Sequence, residues 1–107
     1  MYARIVELQV KAGKEKELNN KIADQILTLL KAQPGFVDEI TLVSDKNPRQ
    51  LLAMSLWKSR EDAERYHRDK FKEVVALIRP LVEGEPTPRT YDVNTSTGHR
   101  IAAGKAA

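Results

Sequence analysis

The side chains able to do chemistry are few in this chain of 107 residues: there is no cysteine, and there are two histidines, three tyrosines and a single tryptophan. Trp57 closes an apolar run, and Tyr66 and His67 follow shortly after it. An indole can stack on a flat substrate, and Phe71 and Met54 offer further apolar contact. His67 carries the near-neutral pKa of a general base. Tyr66 and His67 are neighbours and cannot face the same way on a helix; Tyr66 is the inward one, and its hydroxyl, once buried, calls for Arg4, Glu7 or Ser55 as partner. Glu7 and Glu39 lie among apolar residues, where burial raises a carboxyl's pKa and makes it a proton acceptor. The candidate catalytic set is therefore Tyr66, Glu7 and His67, and the candidate substrate-binding set Trp57, Phe71 and Met54. Each has a plainer role beside it: Trp57 as core, His67 as a surface residue between Arg65 and Arg68, Glu7 or Glu39 at a rim, paired with Arg4 or Arg89. No His/Cys/Asp/Glu cluster has metal-ligand spacing, so no metal site is expected.

These residues must be held by strands and helices whose signals are clear. Residues 2–10 alternate as a strand, with Val6, Leu8 and Val10 on one face and Ala3, Ile5, Glu7 and Gln9 on the other. From Glu15 to Ala32 the apolar residues Leu18, Ile22, Ile26 and Leu29/Leu30 recur at three and four, an amphipathic helix that Pro34 and Gly35 end. Two strands follow, Phe36–Val43 and Gln50–Trp57, joined by the turn residues Ser44 to Pro48. In the first, Phe36, Ile40 and Leu42 oppose Val37 and Val43; in the second, Leu51, Ala53 and Trp57 oppose Leu52, Met54 and Leu56. Ser59 with Asp62 is a near match to a capping box, and the helix it starts runs to Asp69 and continues or restarts at Phe71 until Pro80. Residues 81–88 read as a turn-rich connection and 89–94 as the last strand. The order β-α-β-β-α-β predicts an α+β, ferredoxin-like antiparallel sheet with its helices on one face.

The central pair of strands is apolar on both faces, whereas an antiparallel sheet with one wet face alternates more cleanly. The helices cover one side. The other calls for a second copy, giving a homodimer through sheet-to-sheet packing. Length and composition agree with one domain over residues 1–94, followed by a tail, 95–107, that is either disordered or docked on the partner through Ile101 and His99.

Net charge is +3, but Arg100 and Lys105 lie in the tail, leaving 16 basic against 15 acidic residues before it. The basic residues 58–72 are interleaved with Glu61, Asp62, Glu64 and Asp69, a solvated helix face and not a phosphate track. No nucleic-acid partner is expected. No apolar run reaches membrane-span length and the amino terminus lacks a signal-peptide pattern, so the expectation is a cytoplasmic protein with no membrane partner.

A strand ending V-K-A-G-K, then P-G-F, a strand running into L-W-K-S-R-E-D-A, and a helix leading to R-P-L-V-E-G-E-P and R-T-Y-D-V resemble the antibiotic biosynthesis monooxygenase (ABM) domain family of dimeric α/β barrels. The resemblance covers about residues 3–94. It implies a pocket between sheet and helices that takes a small aromatic or quinol-like molecule, which is oxygenated without metal or flavin. In the quinone-forming branch an asparagine, a tryptophan and a tyrosine are associated with the site; Trp57 and Tyr66 match the last two, and no asparagine here falls in the pocket. In the haem-degrading branch an asparagine, a tryptophan and an iron-ligating histidine map onto Glu7, Tyr66 and Ala76, so all three are missing. The alternative from another class is a non-catalytic dimeric binding or stress-associated protein. A cavity with a titratable group and a stacking wall favours the enzyme; a solid helix-sheet interface favours the binder.

Overall fold

A computed structural model describes residues 1–99, and Ile101 lies outside them. Strand β1 (Tyr2–Val10) is central: β3 (Gln50–Trp57) pairs with one side, and β4 (Val82–Glu83) and β5 (Pro88–Asp92) share the other. The strand β2 (Phe36–Val43) pairs with β3 and completes an all-antiparallel sheet. The order β2-β3-β1-β5 is the ferredoxin-like one that the sequence pattern predicts.

The first helical stretch is not a uniform helix. It consists of α1 (Glu15–Lys21), a π-helical turn (Ile22–Ile26) and α2 (Leu27–Lys31). Leu18, Ile22, Ile26 and Leu30 are all buried and recur every four residues, a spacing that rotates about 40° per step around an α-helix. The wider turn, closed by i→i+5 bonds, takes up part of that rotation and keeps the stripe on the sheet.

Gly35 adopts φ +78, and a Cβ there would overlap the Asp62 carboxylate. Asp62 is itself engaged in the cap of α3 (Arg60–Asp69): its N–H donates to Ser59 Oγ at 3.2 Å, and Ser59 Oγ donates to Asp62 Oδ2 at 2.9 Å. Lys58 N–H donates to Gly35 O at 2.8 Å. The P-G-F and S-R-E-D segments thus form one joint, and only glycine fits it. The helix breaks at Lys70 (φ −130), restarts as α4 (Phe71–Ile78), and ends in a 3-10 turn, Arg79–Leu81.

Three further details differ from the sequence expectations. Residues 82–83, expected in a connection, form β4 because Val82 and Glu83 pair with Val10 and Gln9; two residues are too few for a periodic signal. The last strand is Pro88–Asp92 and not 89–94; proline opens it opposite Val6, at the edge where a missing N–H is tolerated. A bulge between Phe36 and Asp38 shifts the register of β2, so Phe36 pairs with Trp57 while Glu39 pairs with Ser55. Phe36 therefore shares a face with Glu39, not with Ile40 and Leu42.

The helix-side core joins Leu8, Val10, Leu51 and Trp57 of the sheet to the stripes of both helical layers. The other face carries Ile5, Leu52, Met54, Ile40, Leu42 and Tyr91 in matching register. Ile40, Leu42 and Tyr91 are 37%, 50% and 49% exposed in the single chain. Of the tail residues, His99 is described, with its Nε2 3.3 Å from Asp38 Oδ2.

Candidate functional site

A cavity of about 60 Å³ lies between the helices and the sheet. Its walls are apolar: Val6 and Leu8 of β1, Ile22 and Ile26 of the π-helical turn, and Phe71 and Val74 of α4. The polar groups that reach it come largely from one row across the sheet. Cross-strand pairing sets Glu39, Ser55 and Arg4 side by side on the helix-facing surface, and Tyr66 closes over them from α3.

Arg4, expected only as a partner for Tyr66, Glu7 or Glu39, lines the cavity itself. It is 4% exposed. Its Nη1 is 3.1 Å from His67 Nδ1, its guanidinium carbon stands 5.2 Å from the Tyr66 ring centroid and 4.9 Å from that of Phe71, and its Nη2 is buried with no hydrogen-bond partner. Among the described residues no carboxylate lies within ion-pair distance of it. Burial lowers its pKa from the ordinary value, opposed by the nearby tyrosines Tyr66 and Tyr2. A signal was present: the period of two that groups Val6, Leu8 and Val10 puts Arg4 on the same inward face.

Tyr66 is buried and stacks on Trp57 with centroids 4.9 Å apart and planes at 26°. Burial pushes its phenol up to about 12, with Arg4 pulling the other way, so at neutral pH the hydroxyl is a proton donor and not a base. Trp57 has no exposed surface, packs edge-on to Phe36 at 5.6 Å, and donates from Nε1 to Ser55 Oγ at 2.9 Å. It supports the cavity wall from behind Tyr66 and does not line it. Phe71 does line it, whereas Met54 borders it from a strand position whose cross-strand partners, Ile5 and Ile40, belong to the opposite face.

Of the two acids, the structure separates Glu7 from Glu39. Glu7 is exposed on the open face, where its Oε1 accepts from Gln50 Nε2 at 3.0 Å. It cannot reach the cavity, because strand alternation turns it away from Arg4. Glu39 lines the cavity, and burial raises its carboxyl pKa, partly offset by the hydrogen bond from Thr41 Oγ1 at 2.7 Å.

His67 is exposed, stacks on Phe71 at 5.1 Å, and does not line the cavity. Its pKa is lowered, first by burial and then by Arg4. The neutral ring accepts from Arg4 through Nδ1, which places its own proton on Nε2. Protonation would set a second cation against Arg4. The unfolded chain takes up this proton near 6.5 and the folded chain only at lower pH, so acidification through that interval favours unfolding. Thermal midpoints should fall as pH drops below about 6.5, and His67→Gln, whose amide oxygen can still accept from Arg4, should flatten that segment; an unchanged slope contradicts the contact.

Among the described residues no group of three or more His, Cys, Asp or Glu could hold a metal ion, and no helix is long and apolar enough to cross a membrane. Ala76, the position matched to a haem-ligating histidine, is exposed on α4 beside a groove bordered by Lys72 and Pro80.

No curated protein matches the sequence. Solved structures match the fold. SnoaB from Streptomyces nogalater, a cofactor-independent oxygenase, superposes with TM-score 0.76 at 15% identity, covering 92% of this chain and 97% of that one. A conserved protein from Methanosarcina mazei Go1 gives 0.72 at 23%, covering 84% and 89%. MhuD, seen with two manganese protoporphyrin IX molecules per active site, gives 0.75 at 21%, covering 92% and 100%. These likenesses show the fold. The sequence itself matches the profile of antibiotic biosynthesis monooxygenases over residues 1–77, and with that match the chain belongs to the antibiotic biosynthesis monooxygenase family.

Proposed function

We propose that the protein is a cofactor-independent monooxygenase of a small aromatic or quinol-like substrate, bound in the cavity between sheet and helices of a homodimer built by packing the open sheet faces together. The observation that carries this reading is the cavity's content. An apolar void that holds a proton-donating phenol, Tyr66, and a carboxyl of raised pKa, Glu39, is arranged for proton transfer to and from a flat molecule.

In the reaction as proposed, the ionised Glu39 takes a proton from a phenolic hydroxyl. The negative charge spreads to a ring carbon, which passes an electron to molecular oxygen and forms a C–O bond. The peroxide anion takes the proton back from Glu39, and the hydroperoxide so formed loses water together with the hydrogen of that carbon and leaves a second carbonyl, so one oxygen atom ends in the quinone and the other in water. All four electrons come from the substrate, and the scheme needs no flavin or metal. Tyr66 donates a hydrogen bond to the developing anion, and Trp57 fixes the Tyr66 ring. The resting void is smaller than the ~150 Å³ that accommodates benzene, so a ring enters only as the apolar walls yield.

The test is oxygen uptake by the purified protein with a panel of hydroquinones and no added cofactor. Glu39→Gln should lower kcat about 100-fold or more, and Tyr66→Phe should lower it about tenfold. The parent's rate should rise with pH as Glu39 ionises, along a limb displaced above the ordinary glutamate value of 4.5. Uptake indifferent to both substitutions would remove this site assignment and favour a binding protein without chemistry.

A further inference from the structure

Arg4 has no structural need for its charge. It is the buried charged residue of the described core, and an ion taken out of water without a counter-charge is strongly disfavoured. A methionine or leucine would fill the same volume between Tyr66 and Phe71. Instead the chain builds a holder for a cation. Tyr66 and Phe71 present their rings to the guanidinium, and neutral His67 accepts from Nη1. One donor nitrogen, Nη2, is left over, buried and unmatched, on a residue that lines the cavity. Glu39, the acid of the same row, is two strands away, about 10 Å at the usual strand spacing.

We propose that Arg4 anchors an anionic oxygen of the substrate, so that the cavity selects planar aromatic molecules in their phenolate form. This rests on the reading of the cavity as a substrate site, and not on the reaction there being an oxygenation. The titratable groups facing the bound oxygen are Arg4 of β1, Tyr66 of α3 and Glu39 of β2, with His67 behind Arg4. Arg4 supplies a charge-assisted hydrogen bond to that oxygen. With the ionised oxygen held at Arg4, the proton that Glu39 takes is that of a second hydroxyl at the far end of the ring, so the row orients a hydroquinone between anchor and base.

The probe is 4-nitrophenol, which ionises near neutral pH and absorbs at longer wavelength as the phenolate; nitrobenzene is the neutral ring of similar size. The intact protein should bind the phenolate at least about tenfold more tightly than nitrobenzene, and bound 4-nitrophenol should ionise at lower pH than it does free. Arg4→Met should abolish that preference while keeping nitrobenzene affinity. Should the variant fail to fold, the ionisation of the probe on the parent protein still decides. Displacement by benzoate extends the anchor to carboxylates, and its failure restricts it to phenolates. Equal affinity for both rings, ionisation displaced upward, an Arg4→Met protein that still prefers the phenolate, or no binding of either ring overturns the anchor. A parent that prefers the phenolate yet consumes no oxygen with any hydroquinone leaves the anchor standing and removes the oxygenase reading.

Discussion

Leu52→Glu should turn a dimer into a monomer of 12.1 kDa in sedimentation equilibrium at micromolar concentration. Leu52 pairs with Glu7 on one side and Leu42 on the other, at the middle of a face that also carries Ile5, Met54, Ile40 and Tyr91. In the single chain Leu42 and Tyr91 remain about half exposed, a contiguous apolar surface of the kind that marks an association site. A carboxylate buried at the centre of such an interface lacks a partner, and Glu7 beside it adds like-charge repulsion. The dissociation constant should rise at least about 100-fold, which corresponds to about 3 kcal/mol. The helix-side core lies across the sheet, so the monomer should keep its far-ultraviolet spectrum. A parent protein that sediments as a monomer would remove the sheet-to-sheet barrel.

Trp57→Ala should give the largest loss of stability of any single truncation in the chain. The side chain is fully buried, with Phe36 on its edge, Tyr66 on its face and Ser55 taking its N–H. Removing a buried indole costs about 3–5 kcal/mol, a large part of the 5–15 kcal/mol typical of a domain. At about 4–8 °C per kcal/mol for a domain of this size, the melting midpoint should fall by at least about 12 °C. Trp57→Phe keeps a ring against Tyr66 and should lose much less. Because Trp57 acts on the site by fixing the Tyr66 ring, Trp57→Phe should lower kcat by no more than Tyr66→Phe does; a larger fall would place the indole in contact with the reacting atoms.

The elements were legible where hydrophobic period and punctuation agreed. Phe36–Val43 and Gln50–Trp57 were bounded by Pro34-Gly35, by the Ser44 to Pro48 turn and by the Ser59 cap, and they occupy those bounds in the structure. Features imposed by tertiary pairing left no mark of their own. The two-residue β4 exists because the end of β1 needs a neighbour, and the π-helical turn exists because the sheet below holds Ile22 and Ile26 in line.

The site was half legible for a related reason. Tyr66 facing inward and Phe71 at the pocket follow from helix period. With both sheet faces covered, the sequence does not distinguish Glu7 from Glu39. Alternation from Arg4 sends Glu7 to the open face, but for Glu39 the deciding event is the bulge after Phe36, which no residue there announces. Arg4 itself needed only the rule already applied to Val6 and Leu8. A charge on an inward face reads first as a partner for other groups and only in the packed structure as a site.

The proposed oxygenation and the proposed Arg4 anchor both require an aromatic molecule in the helix-sheet cavity. Methyl-labelled protein titrated with methylhydroquinone and followed by NMR tests this directly. The expected result is saturable shift changes at Val6, Leu8, Ile22, Ile26 and Val74, with Leu42 and Leu52 on the open face unaffected. Shifts confined to Leu42 and Leu52, or none at millimolar ligand, would contradict it.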